Sequence, residues 1–189
     1  MTSHRDPAPH SEAGSRHAHN HHVLGTFRAA DLPPGGHVLE RVAVRGVLFD
    51  GPRLLLLASR HGDFKFPGGG VEAGESLSEA LVREFGEECG YAGVVVGAEL
   101  GTTREEVPAE EAAYDVFGMT SHYFACSGGE TVGAQQLEEY EAELELVPRW
   151  VSVTDALAAN RAVLASGVGV MRWLVRETAV LSWLAGRTR

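Results

Sequence analysis

The chain has 189 residues and 44% hydrophobic content, enough to bury one sizeable core and short for two domains. Sixteen basic against 26 acidic side chains leave a formal net charge of −10, a field that disfavours duplex nucleic acid as a partner. The longest unbroken apolar run, Leu54 to Ala58, is too short to span a bilayer, and the N-terminus carries no apolar signal segment, so a cytoplasmic protein without a membrane partner is expected.

Residues 1 to about 30 are rich in His, Pro, Ser, Ala and Gly, with little apolar periodicity, and read as a mobile tail. His17, His19, His21 and His22 fall within it, a tract able to bind transition metals adventitiously. Pro33-Pro34-Gly35-Gly36 closes the tail, so residues 1–36 are set apart from a single domain over 37–189. Val42 to Phe49 and Leu54 to Ser59 flank the turn Asp50-Gly51-Pro52-Arg53 and are expected to form a hairpin. Phe64 to Pro67 is a short extended piece, followed by glycines at 68–70 that permit close backbone approach.

Ser76 followed by Glu79 is a capping-box pattern, which starts a helix running to about Gly90. At about 100° per residue, Leu77, Leu81, Val82, Phe85 and Cys89 form an apolar stripe for the core. On the same projection Glu84 and Glu88 lie about 40° apart and Glu87 about 60° to the side of Glu84, so three carboxylates converge at one edge of the buried face. Such a cluster stays ionised only with positive charge among its members. A hard divalent cation suits oxygen ligands of this kind, and Mg²⁺ is usually held by one or two carboxylates plus substrate phosphates.

The segment Gly69-Gly-Val-Glu-Ala-Gly-Glu75-Ser-Leu-Ser-Glu-Ala-Leu-Val-Arg83-Glu84-Phe85-Gly-Glu87-Glu88-Cys-Gly90-Tyr91 resembles, in full register, the Nudix box of the Nudix hydrolase superfamily. Two positions depart mildly: Tyr91 replaces an aliphatic residue, and Gly86 sits inside the helix at about 1 kcal/mol relative to alanine. The resemblance implies an α/β fold, an α/β/α sandwich whose mixed sheet has helices on both faces. It also implies that the glycine loop lies over the metals, with the Gly69 carbonyl as an added ligand, and that Arg83 and Glu75 orient the catalytic glutamates by a salt bridge. Lys65, the sole lysine, is a candidate phosphate contact beside that loop.

Beyond the helix, Val94, Val96, Ala98 and Leu100 alternate as a strand, residues 116–126 form another and Arg149 to Val153 a last one. Cys89 and Cys126 read as reduced core thiols. Between the last two strands, the acidic run from Glu138 to Glu145 lies where the family commonly supplies a further ligand or general base. Glu141 and Glu143 are the candidates, with Glu99, Glu105 and Glu106 in reserve. A short helix from about Thr154 and a longer one over Val168 to Ala185 close the chain, the latter with a stripe of Met171, Leu174, Val175, Thr178 and Leu181. Trp173 and Trp183 read as core or homodimer contacts. Fifteen arginines with abundant Ala, Gly and Val give the composition of a high-GC bacterial gene.

The reading that follows is Mg²⁺-dependent hydrolysis of a diphosphate linkage in a nucleoside diphosphate joined to another group, with Mn²⁺ as a substitute ion. Glu84, Glu87 and Glu88 hold the metal, and Glu87 or a glutamate of the 138–145 loop takes the proton from water. The bulky downstream motifs of NADH and coenzyme A hydrolases are absent, and Pro108 stands one residue beyond the place of the proline that marks many ADP-ribose hydrolases. A nucleoside triphosphate pyrophosphatase therefore ranks first and an ADP-ribose or nucleotide-sugar hydrolase second. Capped RNA ranks lower because of the acidic charge. A ligand sensor without catalysis is the alternative from another class, and the complete carboxylate set argues against it.

Overall fold

The computed structural model describes residues 22–187, so the tail histidines His17, His19 and His21 lie outside the described residues. The hairpin begins the domain's core: β2 (Val38–Asp50) turns through Gly51 and Pro52 into β3 (Arg53–Ala58), with Asp50 opposite Arg53. A short β4 (Phe64–Lys65) pairs with β3 and leads into the glycine loop. The helix α1 (Leu77–Cys89) starts at Ser76, whose side chain accepts from the Glu79 amide while the Glu79 carboxylate accepts from the Ser76 amide. Gly90, in the left-handed region at φ 66°, ends it.

The remaining elements are longer than their apolar cores indicated. β5 (Tyr91–Pro108) and β6 (Val116–Thr131) form an antiparallel ribbon with register shifts between Val96 and Gly101. A five-residue α2 (Glu139–Glu143) precedes β7 (Val147–Ser152), and two helices follow, α3 (Val153–Ser166) and α4 (Leu174–Ala185). With an edge strand β1 (Val23–Arg28), the strands run β1-β5-β6-β2-β3-β4 across the sheet, with β7 on the other side of β3. β1 with β5 and β2 with β6 are parallel pairs, so the sheet is mixed.

The added strand β1 (Val23–Arg28) departs from the sequence reading, which placed these residues in the mobile tail. It extends the edge of β5, pairing Val23 through Arg28 with Thr102 through Glu106, and Leu24 packs on the second core. A six-residue edge strand buries too little apolar surface to declare itself by periodicity.

Two cores lie on opposite faces of the sheet. Ala80, Leu81, Phe85 and Cys89 of α1 pack on Val44, Leu48, Leu55 and Leu57. Leu157 of α3 and Val180, Leu181 and Leu184 of α4 cover Val47, Leu54, Leu56 and Tyr123. Helices thus cover both faces. Val82, expected in the α1 stripe, is exposed; Ala80 and the two glutamates Glu84 and Glu88 take the buried positions beside Leu81 and Phe85. Helix lengths are reversed from expectation, α3 having 14 residues and α4 12. Gly167 and Gly169 both adopt positive φ and break the segment before α4, so Val168 is exposed and Val175 faces solvent while Leu174, Val180 and Leu181 are buried. Cys89 is buried and Cys126 half-buried, both free. Among the described residues no helix is long and apolar enough to cross a membrane.

Candidate active site

Helix α1 presents its carboxylates to the glycine loop because the loop is fastened to the sheet beneath it. The Val44 amide donates to the Gly69 carbonyl and the Gly46 amide to the Pro67 carbonyl, both at 2.9 Å. Gly68 stands at φ 133°, and a Cβ there would strike the Val44 carbonyl. At Gly69 a Cβ would fall on the Glu84 carboxylate, so only glycine lets this carboxylate lie against the loop.

Two cations divide the acidic side chains. Arg83 grips Glu75 with two donors, Nη2 to Oε1 at 2.8 Å and Nε to Oε2 at 3.2 Å. Its Nη1 donates to Glu84 at 3.0 Å and Glu87 at 2.9 Å, and Nη2 also reaches the Gly70 carbonyl. Lys65, on β4, donates to Glu88 at 2.6 Å and to Glu141 at 3.3 Å. The Gly68 amide gives Glu88 a second partner at 2.6 Å. Lys65, expected as a phosphate contact, is buried with its ammonium directed at carboxylates.

Burial governs the ionisation of these groups. It pushes the Glu88 carboxyl up to about 8 against the opposing charge of Lys65, and it raises Glu84 against the pull of Arg83. Burial also works on Glu141, but hydrogen bonding with Glu88 and the Lys65 charge outweigh it and hold Glu141 below the usual carboxylate range. The Arg83 fork lowers Glu75. Glu88 and Glu141 thus share one lysine, with burial favouring the proton on Glu88 while Glu141 stays ionised.

Of the loop candidates, Glu141 comes to the site and Glu143 does not. Glu141 is buried on α2, where its carboxylate accepts from the Glu138 amide and from the Tyr140 hydroxyl. Glu143 is exposed on the far side of the same turn. The reserve candidates lie elsewhere: Glu99 pairs with His122, Glu106 with Arg28 and Arg104, and Glu105 with Arg176. Tyr91, the aromatic departure at the end of the box, accepts a 3.3 Å hydrogen bond from Trp150 Nε1, which explains why a hydroxyl is useful there.

Behind Lys65 the sheet and the start of α4 enclose a cavity of about 210 Å³ that sequence reasoning missed. Arg45, Arg172 and Arg176 bring positive charge to it, Phe117, Met119 and Trp173 apolar surface, and Glu105 the opposing charge. Arg172 stands over the Phe117 ring at 5.3 Å from its centroid. Trp173, read from sequence as a core or dimer contact, lines this cavity, while Trp183 packs against the second core. A charged residue inside the apolar run Val42 to Phe49 was the available signal for Arg45, since strands buried on both faces rarely hold an arginine without purpose.

Among the described residues no three side chains stand together as a ready-made metal site, because Arg83 and Lys65 hold the carboxylates in two groups. The donor set nevertheless fits a hard divalent cation: carboxylate oxygens from one helix face, and a Gly69 carbonyl that has one lone pair left after accepting from Val44. The cradle at Gly69 leaves Glu84 room to serve it.

This carboxylate helix and mixed sheet define the class of the protein. Residues 39–174 match the NUDIX domain, and the chain belongs to that family. A 53-residue stretch is 43% identical to an ADP-ribose pyrophosphatase of Methanocaldococcus jannaschii, covering 26% of this chain and 31% of that relative, so the chain spans about a third of the curated relative it matches. Among solved structures it is similar to a NUDIX hydrolase from Nitrosomonas europaea (TM-score 0.50, 16% identity, 78% of this chain and 90% of that one). It is also similar to a MutT protein from Bacillus halodurans (TM-score 0.44, 23% identity, 63% and 72%). At 16% identity the Nitrosomonas likeness speaks for the fold alone.

Proposed function

We infer that the chain is a divalent-metal-dependent hydrolase of the diphosphate link in a nucleoside diphosphate joined to a further group. One observation carries this reading: Glu84, Glu87 and Glu88 share one face of α1 against a glycine loop, with Glu75 and Arg83 holding two of them in place. Those three glutamates and the Gly69 carbonyl would hold Mg²⁺ or Mn²⁺, which would supply positive charge to the diphosphate and lower the pKa of water. Arg83 fixes the orientation of Glu84 and Glu87 and is itself fixed by the two-point contact with Glu75. Glu141 is the proton acceptor in this reading, being buried, held ionised and 3.3 Å from the lysine it shares with Glu88; Glu87 is the alternative on the helix. The P–O–P link is then cut by water with no covalent enzyme intermediate. Hydrolysis is placed in the domain over 37–189, whose sheet β1 (Val23–Arg28) extends at its edge.

The absence of bulky downstream motifs favours a nucleoside triphosphate as substrate. The 43% identical stretch shared with an ADP-ribose pyrophosphatase favours ADP-ribose as the second reading. Purified protein incubated with Mg²⁺ or Mn²⁺ should cleave one class among nucleoside triphosphates, ADP-ribose, nucleotide sugars and dinucleoside polyphosphates. Diphosphate or nucleoside monophosphate among the products places the bond that is cut. Intact substrate in every reaction would leave the sensor alternative standing.

A further inference from the structure

Three of four cations at this site are paired with carboxylates. Arg83 contacts Glu75, Glu84 and Glu87; Lys65 contacts Glu88 and Glu141; Arg176 contacts Glu105 and Glu177. Arg45 is the exception. It is 7% exposed, yet its Nε and Nη1 have no hydrogen-bond partner. A guanidinium withdrawn from water without an acceptor is costly, and a group left so in a folded protein calls for an explanation.

The fold explains both where Arg45 points and why it cannot turn away. On β2 its neighbours Val44 and Gly46 face α1, Gly46 lying under the Phe85 ring. Side chains alternate along a strand, so Arg45 projects to the opposite face with Val47, into the cavity below α4. Gly68 of the glycine loop sits on its backbone and β6 is paired along its other edge, with Tyr123 opposite. The cavity also holds Lys65, which ties it to the carboxylate pair at Glu88 and Glu141.

We propose that Arg45 is a substrate-binding residue: its unpartnered guanidinium takes the phosphate of a nucleotide whose planar base lies along Phe117, Met119 and Trp173 of the same cavity. The planar fork of an arginine matches phosphate oxygens, and the apolar wall gives the base a surface to cover. This deepens the hydrolase reading and rests on it for the nature of the ligand, since a nucleotide phosphate on Arg45 lies next to Lys65 and therefore next to the carboxylates.

The test is a binding measurement with no divalent cation and no turnover. Calorimetric titration of the full chain with AMP, GMP, the parent nucleosides and inorganic diphosphate is compared for wild type, Arg45→Gln and Arg45→Lys. Wild type should bind the monophosphates more tightly than the nucleosides. Arg45→Gln should lose about tenfold or more in affinity for the monophosphates and leave nucleoside binding unchanged, and Arg45→Lys should fall between them. A merely structural arginine would behave differently: its loss would lower the melting temperature of the free protein, whereas loss of an unpaired buried charge should leave it level or raise it. Equal affinity of wild type and Arg45→Gln for the monophosphates overturns the proposal, as does a wild type that prefers nucleosides or binds neither. Should Arg45→Gln not fold, wild-type affinity in Arg45→Lys overturns it instead. Hydrolysis in Arg45→Gln with undiminished nucleotide binding sinks this proposal alone; tight binding through Arg45 with no cleavage of any substrate sinks the hydrolase reading alone.

Discussion

On the α1 side of the sheet five carboxylates, Glu75, Glu84, Glu87, Glu88 and Glu141, share two cations. On the α4 side three cations, Arg45, Arg172 and Arg176, face two carboxylates, Glu105 and Glu177. One side has unspent negative charge and the other unspent positive charge, and Lys65 stands between them. That asymmetry matches a ligand which is itself divided, a cation on one side and a phosphate on the other. The comparison also separates two arginines of the same cavity. Arg176 is held by two internal partners and serves the fold; Arg45 acts on Glu84 only as a neighbouring charge, hydrogen-bonds to no carboxylate and is left for something that arrives.

Breaking the internal pairing should give the largest effect. Arg176→Met leaves Glu105 and Glu177 buried without their cation, and should cost about 3–5 kcal/mol in denaturant unfolding; a loss under about 1 kcal/mol would put Arg176 in the same category as Arg45. On the acidic side, Glu88→Gln should lower turnover by about two orders of magnitude or more with the fold retained, because Lys65 keeps Glu141. Near wild-type turnover in that variant would remove the carboxylate side from catalysis. Glu141→Gln should reduce turnover by about a hundredfold, while Glu143→Gln, on the exposed side of α2, stays within about twofold. Excess Mg²⁺ should rescue Glu87→Gln but not Glu141→Gln, and the reverse pattern would place the proton acceptor on the helix. The smallest effect is purely structural: Ser76→Ala removes the cap of α1 and should cost about 1 kcal/mol, with turnover per folded molecule unchanged.

The acidic half of this site could be read from the chain because its residues are neighbours in sequence. Helical spacing alone gathers Glu84, Glu87 and Glu88, and the Ser76–Glu79 cap marks where the helix starts. The cationic half is assembled from β2, β6 and the start of α4, and no local period connects Arg45 with Arg172 or Phe117. Choosing between Glu141 and Glu143 needed the turn of α2, a helix too short for periodicity to orient. The tail reading missed Val23–Arg28 for a related reason, since that strand is defined by the edge of β5 that it covers. The reversed lengths of α3 and α4 trace to two glycines whose positive φ no apolar stripe could reveal.

The glycine loop is stitched to β2 where another strand would normally run. β3 pairs with β2 only at Phe49 and Asp50, and along the rest of that edge residues 67–71 take its place, with Val44, Gly46 and Val71 amides bonded across and Ala43 bridged to Gly70. Opening this loop would mean unzipping the middle of the sheet. Its amides should therefore exchange with solvent deuterium on the slow timescale of global unfolding, with Val44 and Val71 as protected as the α1 core. Fast exchange at those two positions would show a flap. Slow exchange would mean that the wall carrying Gly69 is already in its final shape before a ligand comes, so that ordering it costs the encounter no entropy.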